Sequence, residues 1–170
     1  MPSPVGHALG GIAAGWIVSP RHDRTAVWTL AALGAAADLD LLIGAHRGPS
    51  HSLGASLIVA VIVWASTRSW RWGAAAALAW ASHVLLDWLG EDTWAPIGIP
   101  ALWPFSRAYY QSPLVIFPSV SRQYWRHWEL VYFNAKALAV ELIVLLPLVA
   151  GVVRLASRRV RPSAETSSRT

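Results

Sequence analysis

The sequence contains no cysteine. Disulfides and thiolate ligands are therefore excluded, and any metal must be held by nitrogen and oxygen donors. Charge is scarce as well: 14% of the residues are Asp, Glu, Lys or Arg, against about 25% in an average soluble domain. There is no internal repeat of the kind that marks many secondary transporters. The opening stretch, MPSPVGHALGGIAAGWIVSP, lacks the basic segment of a signal peptide, and His7 interrupts its apolar run. It reads as a retained first span.

What fills the chain instead is apolar surface. The 170 residues are 55% hydrophobic with 11 tryptophans, and the mean hydropathy is +0.41. That is the composition of a one-domain membrane protein. The net charge of +5 does not indicate direct nucleic-acid binding. Arg154, Arg158, Arg159, Arg161 and Arg169 crowd the last 17 residues, and other arginines flank apolar runs.

Five hydrophobic helices are expected, at 4–18, 26–43, 52–66, 73–89 and 136–153. Helix is preferred to strand because backbone polar groups in lipid must be paired within their own segment. The expected fold is all-α: a polytopic bundle of about five spans, residues 1–156, with a basic polar tail at 157–170 expected to be disordered. Gly and Ala are frequent in the first, second and fourth spans and permit close helix approach. Segment 90–135 is too long for an ordinary turn. Its tryptophans, tyrosines and prolines suggest an ordered interfacial lid, with a short helix near 120–132. Arginine is concentrated after spans one, three and five, which makes that side cytoplasmic and the protein N-out, C-in.

The ionisable residues then converge. His7 opens span one, Asp38 and Asp40 close span two, and His46, Arg47 and His51 lie in the loop GAHRGPSHS. His83 and Asp87 close span four. Alternating spans put all of them at one membrane face, where such costly groups indicate function. His83 and Asp87 are four residues apart and share a helix face. Asp38 and Asp40 would diverge by about 200° on a regular helix, so either the helix is distorted there or the two carboxylates serve different ions. Three or four histidines with three carboxylates suit zinc, manganese or iron(II), one ion or two sharing a carboxylate. Two-metal sites of this kind hydrolyse phosphoesters. Asp40, or a metal-bound hydroxide oriented by it, is the expected base, Arg47 is placed to hold a phosphate or offset developing negative charge, and His51 is part of the catalytic set. Glu91, His127 and Glu141 are further candidates whose place the sequence leaves open.

The order H7…D38-L-D40…H46-R-G-P-S-H51-S…S-H83-V-L-L-D87, followed by IGIPALWPFS, resembles the membrane-bound metal-dependent hydrolase family. Its members are also described as LexA-binding, inner-membrane-associated hydrolases. The resemblance covers roughly residues 1–110. It implies an inner-membrane location and metal ligands at His7, Asp38, Asp40, His46, His51, His83 and Asp87. Ser50 stands where members often carry threonine, and GEDTWAPIG lengthens the spacing to the Trp-Pro-Phe segment. The expected activity is hydrolysis of a phosphoester on a lipid or lipid-linked substrate at the bilayer face. The alternatives are a metal or proton transporter, or a non-enzymatic adaptor that binds a regulatory partner through the basic tail.

Overall fold

The computed structural model describes residues 1–43, 47–121 and 128–160, apart from the side chains of 43, 159 and 160. His46 and His127 lie outside the described residues, as does 161–170 of the tail. The described chain is helical: α1 Pro4–Trp16, α2 Arg24–Ala35, α3 Leu53–Thr67, α4 Trp70–Trp88 and α5 Trp128–Val160. A 3-10 helix, Ala36–Ile43, extends α2, and a single 3-10 turn, Pro49–His51, precedes α3.

The sequence signals that start these helices are local. Ser3 accepts a hydrogen bond from the Gly6 N–H at 3.2 Å, and Pro4 occupies the first helical turn of α1. Asp23 caps α2 through the Ala26 N–H at 3.0 Å. That hydrogen bond, and then one from Arg21, holds the Asp23 carboxyl below its ordinary value. Ser52 caps α3 and Ser69 caps α4 in the same way. Arg68 ends α3 in the left-handed region at φ 55°.

The helices pack through small residues. A Cβ on Gly11 of α1 would stand 2.7 Å from the Gly34 Cα of α2, so neither position accepts a larger residue without parting the helices. Trp16, Ala26, Leu30, Ala75 and Ala79 form a buried cluster joined by Val152, Val153 and Ala156 of α5. This cluster unites the end of α1 with the starts of α2 and α4. The Arg71 guanidinium fastens the same end by donating to the Val18 and Ser19 carbonyls at 3.1 and 3.0 Å.

Two stretches are long and apolar enough to cross a membrane, Arg24–Leu42 and Trp128–Arg158. The apolar window of the second is only 11% buried within the protein, so its Ile143, Val144, Leu146 and Leu148 face outward. The expectation of five spans is not met by length. α1 has 13 residues and α3 has 15, about 20 and 23 Å of helix against a hydrocarbon core of about 30 Å. α5 begins eight residues earlier than expected and continues through Val160, past the tail boundary expected at 157. Asn134 explains part of the early start: its amide exchanges two hydrogen bonds with the Ser121 backbone, at 2.8 and 2.7 Å. A polar residue that looked like loop is thereby a helical clamp on the preceding segment.

Residues 90–121 form an ordered cover without regular elements. Ile99 and Phe117 are buried. Single bridges pair Gly90 with Phe117 and Ile99 with Tyr110. The Ala101 carbonyl accepts from the Leu53 N–H at 2.9 Å, which docks the cover on the start of α3.

Candidate metal centre

Four elements deliver ionisable side chains to one end of the bundle. His7 comes from the first turn of α1, Asp38 from the 3-10 extension of α2, His51 from the turn before α3, and His83 and Asp87 from the last turns of α4. His7, His51, His83 and Asp87 are all at most 1% exposed. Asp38 alone of the five has a side chain with appreciable exposure, 18%.

Their donor atoms face one another. His51 Nε2 lies 3.5 Å from Asp38 Oδ1 and 3.5 Å from Asp87 Oδ2. His83 Nε2 lies 3.8 and 3.3 Å from the same two oxygens. These four separations link two nitrogens and two oxygens in a ring, and His7, His83 and Asp87 on one side and Asp38, His51 and His83 on the other each bring three donor atoms within 4.8 Å of one another. A regular tetrahedral site with bonds of about 2.0–2.2 Å has edges of about 3.3–3.6 Å, so these nitrogen–oxygen separations are of the size that ligands of a first-row divalent cation have. On the other side, Asp87 Oδ1 is 3.3 Å from His7 Nε2.

The hydrogen bonding points the same way. His83 Nε2, both Asp87 carboxylate oxygens and His7 Nδ1 are buried without a hydrogen bond among the described residues. Leaving a buried carboxylate unsatisfied costs several kcal/mol unless a cation compensates it. The His7 and His83 rings stack with centroids 3.7 Å apart, and His51 meets His83 edge-on at 4.8 Å. Charging both stacked rings would press two cations together, whereas neutral rings offer lone pairs to a shared ion. The donor chemistry, all imidazole and carboxylate, fits zinc, manganese or iron(II).

The ring orientations are fixed from behind. His83 Nδ1 donates to the Gly34 carbonyl at 2.8 Å, which leaves Nε2 as its ligating atom. The Gly11–Gly34 contact that brings α1 against α2 therefore also places the carbonyl that orients His83. His51 Nδ1 lies 3.2 Å from Asp40 Oδ2 and 3.0 Å from Ser50 Oγ. The same Asp40 oxygen accepts from Ser50 Oγ at 2.9 Å and the Gly48 N–H at 3.2 Å.

The distorted-helix alternative for Asp38 and Asp40 is the one the fold adopts. In the 3-10 stretch Ala36–Ile43 the two carboxylates still diverge, yet they approach the two nitrogens of one imidazole, His51. Asp40 stands on the Nδ1 side of the ring and Asp38 on the Nε2 side.

Arg47 is placed differently from the sequence expectation. Its side chain is 10% exposed and paired with Asp92. Its Nη1 also donates to the Trp94 and Pro96 carbonyls at 3.1 and 2.9 Å. This guanidinium straps loop 92–98 to the loop before α3, and its committed Nη1 is not open to a phosphate. Glu91 accepts from the Ser119 N–H at 3.0 Å and holds the cover. Glu141, fully buried in α5, accepts from the Ser3 N–H at 2.7 Å and from Ser3 Oγ. It anchors the residue that caps α1, and so sets the position of His7 one turn later.

Sequence reasoning missed Gly34, Ser50, Asp92 and Ser3. Gly34 acts through a backbone carbonyl and leaves no side-chain signal. Asp92 was legible only as part of a long polar segment.

A family model described as the YdjM inner membrane protein matches residues 1–160. The chain belongs to the YdjM inner membrane protein family. Membership, together with the outward-facing apolar surface of α5, makes it an inner-membrane protein. The YdjM description names no reaction, metal or LexA contact. No curated protein and no solved structure matches the chain.

Proposed function

We propose that this YdjM-family protein is a metal-dependent hydrolase of the inner membrane, acting on a phosphoester whose apolar part remains in the bilayer. The observation that carries the reading is the buried set His51 Nε2, His83 Nε2, Asp38 Oδ1 and Asp87 Oδ2, spaced at 3.3–3.8 Å with their rings held from behind. These four would hold the ion, with zinc the first choice. A second ion would draw on His7 Nε2 and the remaining Asp87 oxygen. When bound, a divalent ion supplies Lewis acidity and lowers the pKa of water for attack on phosphorus.

The chain's own residues supply the rest. Asp40 holds the His51 ring and its tautomer, a positioning role rather than that of a ligand. Asp38 is the cluster residue that reaches the surface, which makes it the group nearest an incoming substrate and the best placed to accept a proton. The cover at 90–121, strapped by Arg47 and Asp92, restricts water on the loop side. The exposed leucines beside Asp38, Leu39 and Leu42, give the entrance an apolar border suited to a lipid.

The topology that accompanies this reading has the cluster at the outer face. Arg21, Arg24, Arg68, Arg71, Arg154 and Arg158 belong to the opposite end of the bundle, as the positive-inside rule requires of a cytoplasmic side. The short α1 and α3, with the 19-residue α4, would then lie within the protein's membrane-embedded body beside Arg24–Leu42 and Trp128–Arg158. Transport is disfavoured because Glu141, the acid inside α5, is engaged by Ser3. An adaptor role would leave the buried donor set without a use.

Elemental analysis of the detergent-purified protein tests the metal, and release of phosphate or alcohol from lipid phosphoesters tests the reaction. Near-stoichiometric metal in the wild type, lost in Asp87→Ala together with turnover, is the expected result. Full metal content and activity in Asp87→Ala would overturn the assignment.

A further inference from the structure

With Arg47 strapped to loop 92–98, an anionic headgroup needs another cation. Arg107 is exposed, and among the described residues no ion pair or hydrogen bond engages its side chain. It borders a groove of about 320 Å³ lined by Gly48, Pro49, Pro100, Trp103, Arg107 and Tyr109. Gly48 and Pro49 open the turn that carries Ser50 and His51, so the groove and the metal cluster share one piece of backbone.

The groove is built on fixed supports. A Cβ on Gly54 would come 2.9 Å from Pro104 Cδ, which shows how closely the Trp103–Pro104 wall lies on α3. The Trp103 N–H donates to the Pro100 carbonyl at 3.0 Å, and Gly48 is tied to Asp40. Immediately beyond the groove, Phe105 is 95% exposed and Leu102 is 46% exposed. Exposed Phe and Leu beside Trp, Tyr and Arg is the pattern of a surface that sits at the level of lipid headgroups. A guanidinium between aromatic walls at that level suits bidentate contact with a phosphate.

We propose that this groove binds the phosphate headgroup of an anionic bilayer lipid, with Arg107 as its cation. The site stands on its own geometry; only its service to the metal centre, as the place where a lipid phosphoester is held, rests on the hydrolase reading.

The test titrates the full-length protein in non-ionic detergent with dihexanoyl phosphatidate, followed by tryptophan fluorescence. Arg107→Gln and Arg107→Lys are compared with wild type, and inorganic phosphate serves as competitor. Arg107→Gln is expected to raise the Kd by at least about tenfold, the cost of a charge-assisted contact, and Arg107→Lys by less. Inorganic phosphate is expected to compete only at far higher concentration than the lipid. Equal Kd values for wild type and Arg107→Gln, or no binding by the wild type, would overturn the proposal. Competition by phosphate at equal concentration would also overturn it, assigning the groove to free anions. Metal content is measured in parallel. Arg107-dependent binding in a wild type that holds no metal supports the groove and removes the hydrolase reading. A metal-replete protein whose binding ignores Arg107 does the reverse.

Discussion

Replacing Asp87 by alanine removes the one carboxylate that faces all three described histidines of the cluster, through Oδ1 to His7 and Oδ2 to His51 and His83. Structural zinc ions bind with about 10–16 kcal/mol through four ligands, or roughly 2.5–4 kcal/mol per ligand. Losing Asp87 should therefore raise the metal Kd by about two to three powers of ten. Asp40 contacts the back of His51 instead, and loss of such a supporting group costs about 10–100-fold. The order is the informative part: Asp87→Ala should weaken binding more than Asp40→Asn. Competition with a chelating fluorophore measures both constants, after circular dichroism and gel filtration have shown that each variant is folded. An Asp40→Asn defect equal to or larger than that of Asp87→Ala would mean that Asp40 is itself a ligand. An unchanged Kd in Asp87→Ala would mean that this donor set is not the binding site at all.

Breaking the buried Arg47–Asp92 pair with Arg47→Met should destabilise the protein by about 3–5 kcal/mol, because Asp92 is left buried and uncompensated. The double variant with Asp92→Asn should recover much of that loss in a denaturant titration; no recovery would disprove the pairing. Gly11→Ala forces a methyl against Gly34 and should cost about 1–3 kcal/mol. It should also weaken metal binding through the displaced His83 acceptor, and a variant with unchanged stability and affinity would show that the close approach is unimportant. Glu141→Ala leaves the Ser3 N–H and hydroxyl without their acceptor and should cost about 1–3 kcal/mol. Proteoliposomes should show no metal or proton flux; flux abolished by Glu141→Gln would instead establish transport.

Periodicity and composition made most of the helices legible. The expected spans 4–18, 26–43, 52–66 and 73–89 fall within a few residues of α1, of α2 with its 3-10 extension, of α3 and of α4, because apolar runs ended by Ser, Asp, Gly and Pro are local signals. α5 was read too short, since Glu129 and Asn134 look like loop residues until Ser121 is seen to receive Asn134. The expected first and third spans, at 4–18 and 52–66, were already short for a bilayer, and with α1 ending at Trp16 and α3 at Thr67 only two stretches among the described residues reach spanning length and apolarity.

By itself the sequence determined which residues could act: histidines and aspartates at helix ends, on one side of an alternating chain, with no sulfur to compete for a metal. It also pointed to the membrane setting, through long apolar runs and a charged fraction of only 14%. Only the tertiary structure decided how those residues divide the work. Asp38 and Asp40 differ by two positions in the chain, yet one faces the cluster and the other braces His51, because folding turns the Nε2 of His51 toward Asp38 and its Nδ1 toward Asp40. Arg47 looked like an anion ligand until folding placed Asp92 beside it, 45 residues away in sequence. Glu141 had no assigned place in the sequence until folding set Ser3 against it. A side chain's chemistry is local, but whether its charge and hydrogen bonds are already engaged depends on partners that only the packed chain brings within reach.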